Sequence, residues 1–178
     1  MAGPAPPHDL QVRLEEPEAF ARLNGITLTQ GRQHYDNHTV IDHVAPHCNS
    51  EETYRCLAAG HSHAIFNGRI HIFRDAQQSF ADMNNKNLLL STHAEIDTKP
   101  ELEIYADDVK CAHGATVGQL DETALFYLLT RGIDRHSAAT MLSMAFVKEL
   151  VDQIPLAPVQ ESINQRLSEF MLATFEGA

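Results

Sequence analysis

Residues 101–118 read ELEIYADDVKCAHGATVG, and the chain changes character across them. The segment opens as a strand, turns at Asp107 and Asp108, and resumes through Val109, Lys110, Cys111, Ala112 and His113. Before it lie short β-like runs and turns. After it the apolar period becomes helical. Cys111 and His113 stand two apart at this seam, so on a strand both side chains leave one face while Lys110 leaves the other. A thiolate binds soft metals and sulfur, and a neighbouring imidazole can lower the thiol pKa or ligate beside it. The pair is the leading place for chemistry. The bland alternative is a buried cysteine beside a hydrogen-bonded histidine, since cysteine is among the most buried residue types.

Working upstream, residues 11–14 and 21–29 alternate polar and apolar, with a turn expected at Asn24 and Gly25. Residues 33–44 follow, punctuated by Asp36 and Asn37 and stopped by Pro46. Residues 53–59 and 61–73 are extended, the second run broken at Asn67 and Gly68. Residues 82–87, DMNNKN, read as a polar turn, and 88–90 as a short buried strand. Residues 94–98 and 102–106 read as strands separated by Lys99 and Pro100. Many short strands without a helical period between them make this part mainly β. The residues leave a sandwich, a barrel and a solenoid of stacked coils open. The asparagines beside the strands are what coil corners use, which is the one hint toward the solenoid.

Downstream, Asp121 caps a helix over 122–131 that Gly132 terminates. Asp134 starts a second helix running to about Gln153, with Ala138, Met141, Leu142 and Ala145 as its apolar stripe, widened by Met144, Val147 and Val151. Pro155 ends it, and Pro158 suits the first turn of a third helix carrying Val159, Ile163, Leu167 and Phe170.

Composition narrows the function classes. A net charge of −11 opposes binding to a phosphate backbone, so no nucleic-acid partner is expected. No apolar run approaches the roughly 18 residues of a membrane span, and no membrane partner is expected. Residues 1–10 read as a flexible lead-in without the features of a secretory signal. Three cysteines, Cys48, Cys56 and Cys111, with no CxxC spacing fit a reducing compartment, and a cytoplasmic location is expected. Histidine is over-represented at eleven, with His34, His38, His43, His47, His61, His63 and His71 falling in one half of the chain. No HExxH or finger spacing organises them. They nevertheless support a rival reading, a stand-alone His-rich metal-binding protein or metalloenzyme, with His61 and His63 sharing a strand face.

The run at 103–133, EIYADDVKCAHGATVGQLDETALFYLLTRGI, resembles the C-terminal part of the SufB/SufD family of iron–sulfur cluster assembly proteins, nearer its SufD branch. HDLQVRLEEP, GRQHYDNHTVIDHVAPHC, AIFNGRIHI and NNKNLLLS extend the likeness from about residue 8 to beyond residue 150. The resemblance implies a right-handed parallel β-helix over 11–118 followed by a small α-helical domain over 119–178. It implies a non-catalytic scaffold that pairs with a SufB-like subunit through the β-helix and binds a SufC-like ATPase through the C-terminal helices. Iron or a nascent iron–sulfur cluster would be the cargo, shared with SufB, and ATP hydrolysis on SufC would drive rearrangement at the interface. The motif histidine maps onto His113 and the motif cysteine onto Cys111, as an interface site completed by the partner. Reduced flavin is expected of the full complex, at a site that no residue here marks. Family members are usually much longer, so the chain reads as a fragment or a shortened product. A coil stack cut across its middle would expose strand edges and favour self-association.

Overall fold

The computed structural model describes residues 7–175. Eight strands come first: β1 (His8–Leu14), β2 (Phe20–Thr29), β3 (His34–His43), β4 (Asn49–Ala58), β5 (His63–Ile72), β6 (Ser79–Leu89), β7 (Glu95–Ile104) and β8 (Val109–Gln119). Odd strands form one parallel sheet in the order β1-β3-β5-β7, and even strands a second in the order β2-β4-β6-β8. The chain thus winds back and forth between two sheets, one strand of each per coil, and stacks about four coils into a β-solenoid. This selects one of the three mainly β architectures.

In-register stacking explains why the expected strand breaks are absent. Asp36 and Asn37 lie inside β3, Asn24 and Gly25 inside β2, Asn67 and Gly68 inside β5, the 82–87 run inside β6, and Lys99 and Pro100 inside β7. Each is held by the residue one coil away: Asn24 pairs Thr53, which pairs Asn84, and Gly68 pairs both Thr39 and Pro100. Gly25 is chosen for room, because a Cβ there would stand 2.2 Å from Tyr54 Cε1. The real corners are elsewhere. Glu18, His47 and Gln78 adopt positive φ at the β1–β2, β3–β4 and β5–β6 corners, and Gly31 and Gly60 do so at the β2–β3 and β4–β5 corners. The lead-in expected over residues 1–10 is interrupted by β1. Its residues 1–6 lie outside the described residues, whereas His8, Asp9 and Leu10 already pair with β3.

Strand alternation divides each coil into an inner and an outer face. Leu14, Ile41, Cys48, Phe66, Ile70, Ile72, Ala81 and Met83 fill the interior. Polar side chains join them there: His43 at 0% exposure, Ser50 at 0% and Glu52 at 1%.

Three helices follow: α1 (Glu122–Thr130), α2 (Arg135–Asp152) and α3 (Ala157–Phe175). Asp121 caps α1 by accepting from the backbone N–H of Thr123 (2.8 Å), and Asp134 caps α2 by accepting from that of Ser137 (3.0 Å). The helices do not extend the coil stack. They fold back onto the outer face of the even sheet, where Leu57 and Leu88 pack with Val147, Leu167, Phe170 and Met171. Beside this seam Arg55 is buried, with its guanidinium 3.8 Å from Glu149 and 5.9 Å from the Phe146 ring centre. The buried face of α2 is rotated from the expected stripe. Met141 is exposed, and Ala139, Ser143 and Leu150 are buried beside Ala138, Val147 and Val151, because α2 must face both α1 and the sheet.

Candidate functional site

The last coil consists of β7 and β8, joined through residues 105–108. Asp108 fixes this corner: its backbone N–H donates to Gln77 Oε1 (2.9 Å), and its carbonyl accepts from the Gln78 N–H. Among the described residues β7 pairs only with β5, and β8 only with β6. Both strands therefore present a row of unpaired backbone donors and acceptors, the template on which another strand can add.

Register decides where Cys111 and His113 point. Cys111 pairs with Ala81 and His113 with Met83, and both partners are interior residues at 0% and 1% exposure. Lys110 pairs with Phe80, which is 40% exposed on the outer face. Cys111 and His113 hence belong to the interior face, as the two-residue spacing implies. On this coil the interior is open, since no strand among the described residues covers β8. Cys111 is half-buried and packs against the interior cluster, while His113 is exposed. Val109 and Val117 flank them on the same face of β8, and Leu102 and Ile104 lie on the corresponding face of β7. Ile104, Tyr105 and Val117 are 42%, 62% and 44% exposed, so the thiol and imidazole sit within an apolar, uncovered rim.

The thiol is not activated by its neighbour. Burial raises the Cys111 pKa, and a hydrogen bond with the Ala81 backbone offsets the rise only in part. Cys111 is a protonated thiol at neutral pH, and ligating a metal or sulfur would release that proton. Cys48 and Cys56 are more deeply buried at 0% and 5%, and burial drives the Cys56 pKa up to about 12. A thiol reagent applied to the native chain is expected to modify Cys111 alone, more slowly than an unhindered thiol, with the other two reacting only on unfolding. Rapid native reaction of two or more thiols, or of none, would contradict this placement.

The other histidines are dispersed by the coil geometry. His47 occupies a corner and His43 the interior. His38 lies between Asp9 (3.2 Å) and Asp36 (2.9 Å), and the His71 ring lies tilted against Phe73 with ring centres 4.1 Å apart. His61 and His63 do not share a strand face as expected: β5 starts at His63, and His61 lies in the corner, stacked on His93 at 4.6 Å. His63 instead meets His34 across the ladder and Asp97 on β7.

Two groups escaped the sequence reading. Glu52 stands behind the open end, in the column Leu23–Glu52–Met83–His113. Glu95 and Asp97 join His63 on the outer face of the odd sheet. Both lie in columns whose offset changes from coil to coil, 29 residues from Leu23 to Glu52 but 31 from Glu52 to Met83 and 32 from His63 to Glu95, so no fixed sequence period finds them.

A family model described as SUF system FeS cluster assembly, SufBD core domain, matches residues 4–146. The chain is 39% identical over 161 residues to an iron–sulfur cluster assembly SufBD family protein of Synechocystis, covering 90% of this chain and 36% of that protein. It is 35% identical over 162 residues to the iron–sulfur cluster assembly protein SufD of Escherichia coli, covering 91% and 38%. It is 34% identical over 163 residues to protein ABCI7, chloroplastic, of Arabidopsis thaliana, covering 90% and 34%. The chain thus spans between a third and two fifths of the length of these relatives.

Proposed function

Since this chain belongs to the SufBD family of SUF-system iron–sulfur cluster assembly proteins, we propose that it acts as a SufD-type, non-catalytic scaffold whose open coil end takes up iron or a nascent cluster together with a SufB-like partner. The observation that carries this reading is the juxtaposition at β8. A soft and a nitrogen ligand, Cys111 and His113, occupy the uncovered interior face between two unpaired strand edges. Two protein ligands are too few for a closed four-coordinate site. A strand edge that must be completed by another chain supplies the remainder, because the partner's strand would add beside β8 and present its own side chains to the same rim. Iron or the cluster is cargo here, passing through a site that neither chain holds alone. The raised thiol pKa suits reversible capture, in which the proton returns when the cargo leaves.

The helices supply the second contact. Phe126 and Tyr127 of α1 and Leu172 of α3 are 67%, 54% and 52% exposed, apolar surface fit for a SufC-like ATPase. Leu142 and Phe146 of α2 line one groove together with Thr116, Val117 and Gly118 of β8. A force on the helices would thereby reach the strand that carries the ligands. Among the described residues no helix is long and apolar enough to cross a membrane. A reducing, cytoplasmic setting agrees with three free cysteines. Reduced flavin is retained for the whole complex, with no residues of this chain assigned to it.

The test is co-purification of the chain with SufB-like and SufC-like partners, followed by cluster formation on the complex. His113→Ala is expected to leave both partners bound, since the side chain is exposed, and to lower cluster formation by roughly tenfold or more, the scale of losses when a metal's ligand environment is altered. Unchanged cluster formation would sink the site assignment. Capture of a second copy in place of the SufB-like partner would sink the pairing.

A further inference from the structure

We propose that the outer face of the odd-numbered sheet holds a site for a divalent first-row transition-metal ion, with His63, Glu95 and Asp97 as ligands and His34 as the fourth. The site is separate from Cys111 and His113, which lie on the other sheet, and it does not rest on the scaffold reading.

Parallel in-register stacking creates it. His34 on β3 pairs with His63 on β5, which pairs with Glu95 on β7, so three ligating side chains occupy one column. Asp97 follows Glu95 by two residues and leaves the same face of β7. Ala64 and Ile96, the intervening residues, are interior at 2% and 9% exposure, which fixes the column on the outside. One ligand atom each from His63, Glu95 and Asp97 lies within 4.8 Å of the others. Donors bound to a four-coordinate ion at roughly 2.0–2.2 Å stand about 3.4 Å apart, so small rotamer changes close the set. His63 Nε2 is already 2.8 Å from Asp97 Oδ2. The His34 ring lies edge-on to that of His63 with centres 5.0 Å apart, one coil behind it in the same column; it stands outside the group of atoms within 4.8 Å and would join by a rotamer change.

The charge balance asks for a cation. Two carboxylates face one ion-pairing imidazole, and among the described residues Glu95 has no salt-bridge or side-chain hydrogen-bond partner. The donor set of two imidazoles and two carboxylates favours zinc, iron(II), cobalt or nickel over magnesium and calcium, which prefer oxygen alone.

Zinc(II) titrated by calorimetry into the metal-stripped full chain tests this, with magnesium in excess throughout. One ion should bind per chain. His63→Ala and the isosteric Asp97→Asn should each weaken binding by about tenfold or more, as expected when one donor of four is lost. The Cys111→Ser, His113→Ala double variant should bind zinc as the natural chain does. Thermal melts unchanged by Asp97→Asn would tie its loss to ligation and not to folding. Absence of stoichiometric zinc, binding that survives both outer-face substitutions, or binding lost in the double variant each overturns the proposal.

Discussion

Glu52→Gln is expected to stabilise the chain by on the order of 3 kcal/mol above pH 7, and to change it little below pH 4.5. Glu52 is 1% exposed, and neither carboxyl oxygen has a hydrogen-bond partner. Burial drives its pKa from 4.5 up to about 7, and the nearby Thr39 hydroxyl offsets this only in part. The folded chain therefore keeps the proton at pH values where the unfolded chain has lost it. Between about pH 4.5 and 7 Glu52 makes stability fall as pH rises, by about 1.4 kcal/mol per unit. His43 works the other way. Burial lowers its pKa from 6.5 to about 4, so the unfolded chain holds the extra proton and stability rises with pH across that interval. Where the intervals overlap, the two slopes oppose one another and the natural chain should show a flat profile. The glutamine variant should show the rising His43 limb alone. Denaturant unfolding across this range checks the result. A stability difference between the two chains that does not grow from acid to neutral pH would remove the buried, ionising carboxylate from the account.

Leu57→Ala is the second large effect, with an expected loss of about 2–5 kcal/mol. Leu57 is fully buried, yet it points out of the solenoid, into the cluster with Leu88, Val147, Leu167, Phe170 and Met171. A cavity there removes the seam between sheet and helices while the solenoid interior is untouched. Amide exchange should accelerate in α2 and α3 before it does in β3 and β5. Equal acceleration in both regions would mean that the helices are not held chiefly by this cluster.

The mainly β character, the switch to helices and both aspartate caps were legible because they are local: periodicity and capping chemistry act within a few residues. The strand breaks were misread for the opposite reason. Gly25 looks like a turn residue until Tyr54, one coil away, is seen to need its space. Pro100 looks like a breaker, yet β7 is an edge strand and has one side with no ladder to supply. The Cys111 and His113 pairing on one face could be read from their spacing. That this face is the uncovered end of an interior could not, because it depends on the register with Ala81 and Met83. The His63, Glu95 and Asp97 group was invisible for the same reason, its members being up to 34 residues apart. Both site candidates reach the terminal coil, Cys111 and His113 on β8 and Glu95 and Asp97 on β7, and ladder register decides what lies behind or beside each.

The corners absorb changes in chain length. His43 pairs with Ile72, an offset of 29 residues, whereas Asn49 pairs with Phe80, an offset of 31. Two additional residues have entered the β5–β6 corner, beside the positive-φ Gln78, and every side chain after them still faces its proper side. A single residue added within a strand would turn that strand's inner face outward. Drift in chain length is thus channelled to the rim of the stack, where an inserted loop can acquire a new contact while the columns behind Cys111 and His113 stay in phase.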